Sequence, residues 1–501
     1  MIKRIQVLLL TGVFCFAVQA QNSRLLVSDD ATTTNHTTVI QGNKVRYSAT
    51  VGTQPVWDEE GNTTASLFYT YYQRTDIKDS ATRPLLISFN GGPGSASVWM
   101  HIAYTGPKVL NVDEEGYPLQ PYGVKTNPHS VLDVADIVFV NPVNTGFSRV
   151  LADKNGKMPS KEEQKKAFFG VNADVEYLAE WISTFVSRYE RWRSPKYLIG
   201  ESYGTTRVSG LALELQNRQW MYLNGVILVS PTDIGIERKG PVKAANRLPY
   251  FAATAWYHKA LSEPLQSKDL FSLLDEVEAF TINQYLPAIA KGGFITEAEK
   301  QAVAKQVALY SGLSIDEVMG SNLTIDTAFF WKALLRERQQ TVGRLDSRYL
   351  GIDKQNVGER PDYYAELTSW LHSFTPAINY YLRDELGYKT DVKYNMFGPV
   401  RPWDRSNDKT GENLRQAMAQ NPFLNVMIQA GYYDGATNYF DAKYTMWQLD
   451  PSGKMADRLS FKGYESGHMM YLRAPDLDAA NQDIREFIKA SLPAKNQPAK
   501  Y

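Results

Sequence analysis

Four short apolar runs constrain this chain more than any other feature. PLLISFNGGPG (84–94), ADIVFVNPVNTG (135–146), KYLIGESYG (196–204) and NGVILVSPTD (224–233) are apolar without alternation, and each breaks off into turn-forming residues. A strand with one wet face alternates polar and apolar residues. Runs that do not alternate fit strands covered on both faces, as in a mostly parallel sheet flanked by helices. A fifth run, NPFLNVMIQAGYYDGATN (421–438), returns to the pattern after a long interval of different texture. That interval, 236–390, carries segments such as LFSLLDEVEAFTINQYLPAI and TEAEKQAVAKQVALYSGL, which read as helices. The expected organisation is α/β: a sheet built from 21–235 and 391–501, with helices on both faces and a helical insertion, a cap, over 236–390. Between 36 and 74 the chain alternates β-branched or aromatic residues with polar ones, the pattern of antiparallel strands. KEEQKKAFFGVNADVEYLAEWISTFVSRYERW (161–192) repeats apolar residues at three and four and reads as one helix.

Charge excludes some partners. Lys plus Arg equal Asp plus Glu at 54 each, so no global field draws the chain to nucleic acid or to an anionic membrane. The first twenty residues, MIKRIQVLLLTGVFCFAVQA, place Lys3 and Arg4 before a short apolar run and end on the small Ala20, the layout of a secretory signal cleaved near Ala20. An exported protein, periplasmic or extracellular, is expected, with no membrane attachment once the signal is removed. The only cysteine, Cys15, lies inside that segment, so the mature chain carries neither thiol chemistry nor disulfides.

Within the third run, Gly200-Glu201-Ser202-Tyr203-Gly204 fits G-x-S-x-G, a strand-to-helix elbow that exposes a serine hydroxyl. Chance alone produces roughly 0.2 such matches in a chain of this length at average Gly and Ser usage, so context must carry the motif. KYLI precedes it as a strand, and TTRVSGLALELQ follows as a helix. A nucleophilic serine needs a base, and the base needs an orienting carboxylate. Of the six histidines (36, 101, 129, 258, 372 and 468), His468 sits in the Gly-flanked ESGHMMY after the last strand-like run. Asp434 directly follows the buried run LNVMIQAGYY, and Asp441, seven residues on, is the weaker alternative. The order Ser202, Asp434, His468 is the chain order of α/β-hydrolases. FNGGPGSAS (89–97), after another core strand, supplies paired glycines where backbone N–H groups can approach an oxyanion.

Together these residues resemble the serine carboxypeptidase family, the S10 peptidases of the α/β-hydrolase fold. FNGGPG is similar to the family's W-N-G-G-P-G, GESYG to its G-E-S-Y-A/G, NPVNTGFS to its D-Q-P-x-G-x-G-F-S, and ESGHMM to its G-A-G-H-M-V. The resemblance implies a triad of Ser202, Asp434 and His468. It implies an oxyanion hole from the N–H groups of Gly92 and Tyr203, and a site for the substrate's terminal carboxylate at Asn90 and Glu201. A protonated glutamic acid donates a hydrogen bond to a carboxylate, whereas an ionised one repels it. No metal or cofactor is implied. The chain departs from the family where Tyr104 replaces a second glutamate, and at Phe89, Ser95, Val140 and Asn144. GRLDSR (343–348) reads as a salt-bridged loop of the insertion or as a segment closing over substrate.

The expected function is a serine carboxypeptidase acting on peptides with a free C-terminus. An esterase or acyltransferase using the same triad is the alternative, motivated by Tyr104, and a silent binding protein on a hydrolase scaffold is a third. Side-chain preference and oligomeric state are not legible in the residues.

Overall fold

The computed structural model describes residues 26–494 and 496–500; the segment 1–20, with Cys15 and the expected cleavage near Ala20, lies outside them. Nine strands form the path of the central sheet: β1 (Asp30–Ile40), β2 (Asn43–Trp57), β3 (Thr63–Arg74), β4 (Leu85–Phe89), β5 (Asp136–Val140), β6 (Lys196–Glu201), β7 (Gly225–Val229), β8 (Asn425–Gly431) and β9 (Leu459–Tyr464). Their spatial order is β1-β2-β3-β5-β4-β6-β7-β8-β9, and a short tenth strand, Arg149–Val150, pairs with β3. β1, β2, β3 and β5 pair antiparallel, and every pairing from β5 through β9 is parallel.

The apolar runs are continuous because successive side chains enter two different cores. Leu85, Ile87, Phe89, Val138, Val140, Leu198, Val226 and Leu228 pack on one face, with Trp181, Ile182, Leu211 and Leu215 of the helices Val171–Arg188 and Tyr203–Arg218. Leu86, Ile137, Phe139, Tyr197, Ile199, Ile227 and Val229 pack on the other, with Trp370 and Phe374 of the helix Ala365–Tyr380 and Ile484 and Ile488 of the helix Ala474–Ser491. This period-two division is what a sheet covered by helices on both faces requires. Full burial of each such Leu or Ile contributes about 1.5–3 kcal/mol relative to exposure.

Between β7 and β8 the helices Leu248–Tyr257, Leu270–Phe280, Glu297–Ser311 and Thr327–Ala333 share a core of their own around Phe251, Leu273, Val277, Val307 and Phe330. The stretch 161–192 differs from its expected single helix: it forms Lys161–Phe168 and Val171–Arg188 with a break between them. At the break the backbone extends to pair with Asp404. Asp404 N–H donates to the Phe169 carbonyl and Val171 N–H to the Asp404 carbonyl, each at 2.9 Å. A Cβ on Gly170 would lie 2.9 Å from the Asp404 Cβ, so glycine permits this approach. Among the described residues no helix is long and apolar enough to cross a membrane.

Candidate active site

The elbow forms because β6 ends at Glu201 and the helix Tyr203–Arg218 begins at once, leaving Ser202 to turn the chain at φ 57° and ψ −125°. A non-glycine residue with positive φ is strained and persists only where its surroundings enforce it. The enforcement is visible in the flanking glycines. A Cβ on Gly200 would stand 2.2 Å from the Gly204 carbonyl oxygen, and one on Gly204 would stand 2.6 Å from that of Phe89. The NGGPG loop after β4 packs against this helix start, where a Cβ on Gly91 would meet the Tyr203 nitrogen at 2.4 Å. Among the described residues, neither Gly92 N–H nor Tyr203 N–H is taken up by a loop or turn hydrogen bond. Tyr203 is the first helical residue, whose N–H has no partner within the helix.

Asp434 and His468 meet from the ends of β8 and β9. His468 Nδ1 lies 2.6 Å from Asp434 Oδ2. The other oxygen, Oδ1, accepts from Ala436 N–H (2.8 Å) and Thr437 N–H (3.1 Å), and the Thr437 hydroxyl donates within 2.7 Å of Oδ2. In a neutral ring this contact places the proton on Nδ1 and leaves Nε2 with its lone pair. The Ser230 hydroxyl donates to the His468 carbonyl at 2.8 Å, tying the loop to the end of β7. Burial alone would lower the pKa of His468, but the Asp434 charge and hydrogen bond outweigh it and raise the value above the usual 6.5. Asp441 is elsewhere, on the helix Tyr439–Leu449, paired with Arg238 at 3.2 Å and with Asn246 Nδ2 at 3.0 Å. His101 is buried against the Tyr72 hydroxyl (2.6 Å), and burial pushes its pKa down to about 3.

Glu201, beside the serine, is buried. Its Oε2 accepts from Asn90 Nδ2 and, at 2.8 Å, from the Tyr471 hydroxyl. Burial raises its pKa to about 7, against the lowering effects of His468 and the Tyr471 hydrogen bond. Tyr104 does not reach Glu201 directly: its hydroxyl donates to Gln429 Oε1 (2.5 Å), and its ring stacks on Tyr471 at 4.5 Å. Beside Glu201 this chain thus supplies an aromatic pair, Tyr104 and Tyr471, and one phenol donor, Tyr471.

Two further supports surround these residues. Arg207, on the helix after the elbow, forms a buried ion pair with Asp174 at 2.7 Å and donates to the carbonyls of Asn90 (2.7 Å) and Pro93 (3.3 Å). GRLDSR is the second. Asp346 and Arg348 pair at 2.6 Å, both buried, and Arg348 also donates to Ser466 Oγ at 3.0 Å. The Leu345 carbonyl accepts from His468 N–H (2.6 Å), that of Arg344 from Gly435 N–H (3.0 Å), and Ser347 N–H donates to the Tyr433 carbonyl (2.9 Å). The loop is therefore salt-bridged, and its backbone also braces both the Asp434 and the His468 turns. Among the described residues no group of three or more His, Cys, Asp or Glu is placed to hold a metal ion.

The family profile described as serine carboxypeptidase matches residues 56–458. Serine carboxypeptidase-like 36 of Arabidopsis thaliana is 31% identical over 175 residues, 34% of this chain and 33% of that protein. The retinoid-inducible serine carboxypeptidase of Homo sapiens is 31% identical over 150 residues, 30% of this chain and 28% of that one. The matched stretches thus span about a third of the length of these curated relatives. The solved structure of Kex1, a prohormone-processing carboxypeptidase from Saccharomyces cerevisiae, is similar with a TM-score of 0.52 and 14% identity, covering 89% of this chain and 92% of that one. That likeness establishes the α/β-hydrolase fold.

Proposed function

Because this chain belongs to the serine carboxypeptidase family, we propose that it releases the C-terminal residue of peptides through an acyl-enzyme on Ser202. His468 Nε2 takes the Ser202 proton while Nδ1–H stays on Asp434, and the serine oxygen attacks the scissile carbonyl. The N–H groups of Gly92 and Tyr203 receive the charge that develops on the carbonyl oxygen. His468 then passes the proton to the departing amine, and water repeats the sequence to free the acyl group. Export directed by the first twenty residues belongs to the same reading.

The observation that carries the exopeptidase part is Glu201. Both of its donors lie on Oε2, so when the group is neutral the proton sits on Oε1, free to donate to a substrate carboxylate beside Asn90. A pKa of about 7 keeps that proton in place through the acidic range. The sign follows: His468 must be unprotonated and Glu201 protonated, so activity falls as pH drops through the His468 value and falls again as pH rises through about 7. The two groups interact, so the limbs report the pair.

The test compares a blocked dipeptide with its C-terminal amide. The free acid is expected to have a kcat/KM higher by about 10- to 100-fold, the worth of one hydrogen bond to a charged group. Equal rates would overturn terminal-carboxylate recognition and favour an esterase or acyltransferase, the reading supported by Tyr104 standing where the family has its second acid. Ser202→Ala is expected to abolish both activities. Failure of Ser202 to react with a fluorophosphonate would leave only a binding role.

A further inference from the structure

Among the described residues the buried arginines are paired with acids: Arg191 with Asp136, Arg207 with Asp174, Arg348 with Asp346, Arg485 with Asp133. Arg344, half-buried in the loop that braces the triad, is different. Among the described residues no carboxylate lies within ion-pair distance of its guanidinium, which rests 5.5 Å from the centre of the Tyr364 ring.

Its backbone is held next to the reacting groups. The Arg344 carbonyl accepts from Gly435, the residue after Asp434, and the next carbonyl accepts from His468. The guanidinium is near enough that its charge opposes protonation of His468 and favours ionisation of Glu366. Glu366 makes no ion pair with it: one oxygen accepts Leu345 N–H at 2.8 Å, and the other has no hydrogen-bond partner among the described residues. Tyr364 in turn meets Trp331 edge-on at 5.9 Å, and the Trp331 indole donates to the Tyr250 hydroxyl at 2.9 Å. A Cβ on Gly435 would stand 2.4 Å from that hydroxyl and 2.8 Å from the indole nitrogen. An aromatic wall therefore runs from Gly435 to Tyr364, with an unpaired cation at its end.

A guanidinium on an aromatic face, on a residue whose main chain is tied to the Asp434 and His468 turns and without an acid at ion-pair distance, suits a planar carboxylate, to which it can donate two parallel hydrogen bonds. We propose that Arg344 receives a carboxylate of the substrate, selecting peptides with an aspartate or glutamate side chain beside the scissile bond. The proposal rests on the reading of Ser202 as nucleophile with Asn90 and Glu201 on the terminal carboxylate, which leaves a side-chain carboxylate for Arg344.

The experiment measures kcat/KM of the full chain on blocked dipeptides carrying Glu, Gln or Lys at either residue, on their amides, and on p-nitrophenyl esters of acyl-glutamate and acyl-glutamine. The wild type is expected to favour Glu over Gln at one position by at least tenfold, and Arg344→Gln to bring that ratio close to one. Arg344→Glu is expected to turn the preference toward Lys, a gain that a misfolded protein does not produce. If Arg344→Gln instead lowers the acid-to-amide ratio equally for every side chain, the carboxylate received is the terminal one, and the proposed side-chain selectivity is overturned. If the wild type cleaves no free-acid dipeptide, the carboxypeptidase reading fails, and the ester pair alone decides: a glutamate preference lost in Arg344→Gln upholds the receptor, and its absence overturns it. With cleavage intact, Glu-to-Gln and acid-to-amide ratios within twofold of wild type in both variants overturn the proposal.

Discussion

Asp434, 0% exposed, accepts from two backbone N–H groups, the Thr437 hydroxyl and the His468 ring, whereas Glu201, 2% exposed, accepts only from Asn90 and Tyr471, both on one oxygen. The two carboxyl groups are equally cut off from water. What separates them is the number and placement of donors. A carboxyl group ringed by donors on both oxygens is a fixed acceptor for the His468 ring. A carboxyl with one oxygen left without a donor is pushed up by burial to about 7 and becomes a proton-bearing donor in the acidic range. Burial alone thus does not assign a role to an acid; the local count of hydrogens does.

The largest break in this comparison is Asp434→Asn, which preserves shape but presents an amide hydrogen to the ring and favours the wrong tautomer. Its kcat on a blocked dipeptide is expected to fall about 10⁴-fold, and a loss under tenfold would remove Asp434 from the triad. Next comes the anchor of the Asn90 loop. Arg207→Met leaves Asp174 buried without its partner, and denaturant titration is expected to show a loss of about 3–5 kcal/mol. Replacing both partners by apolar residues should recover part of it. Glu201→Gln keeps a donor that does not titrate. The expected result is a change of about tenfold or less in kcat/KM at acid pH, with the alkaline limb gone from the pH profile; a limb that persists assigns it to another group. The smallest effect is Tyr471→Phe. Removing a hydrogen bond that favours the charged form should move the alkaline limb further up and cost stability about 1 kcal/mol.

The parts of the site legible in the sequence are those whose chemistry is local. A G-x-S-x-G elbow and an N-G-G-P-G turn declare themselves because glycines are required within a few residues of the side chain they serve, as the approaches at Gly91, Gly200 and Gly204 illustrate. The unbroken apolar runs declare a two-faced sheet for the same reason, since each strand records its own burial. The helix over 161–192 misreads at Gly170 because its periodicity continues while a distant residue, Asp404, captures the backbone. Tyr471, 270 residues from Glu201, and Asp174, 33 residues from Arg207, carry no spacing that announces them.

By itself, then, the sequence determined the covered sheet, the sharp serine turn and the chain order of Ser202, Asp434 and His468, because each depends on neighbours in the chain or on strand ends that a parallel sheet brings together. Only the tertiary structure decided what surrounds those groups. A hydrogen bond across the fold depends on where two elements cross, not on the residues between them. Tyr471 standing over Glu201, and GRLDSR holding the Asp434 and His468 turns by its carbonyls, are decisions of that kind.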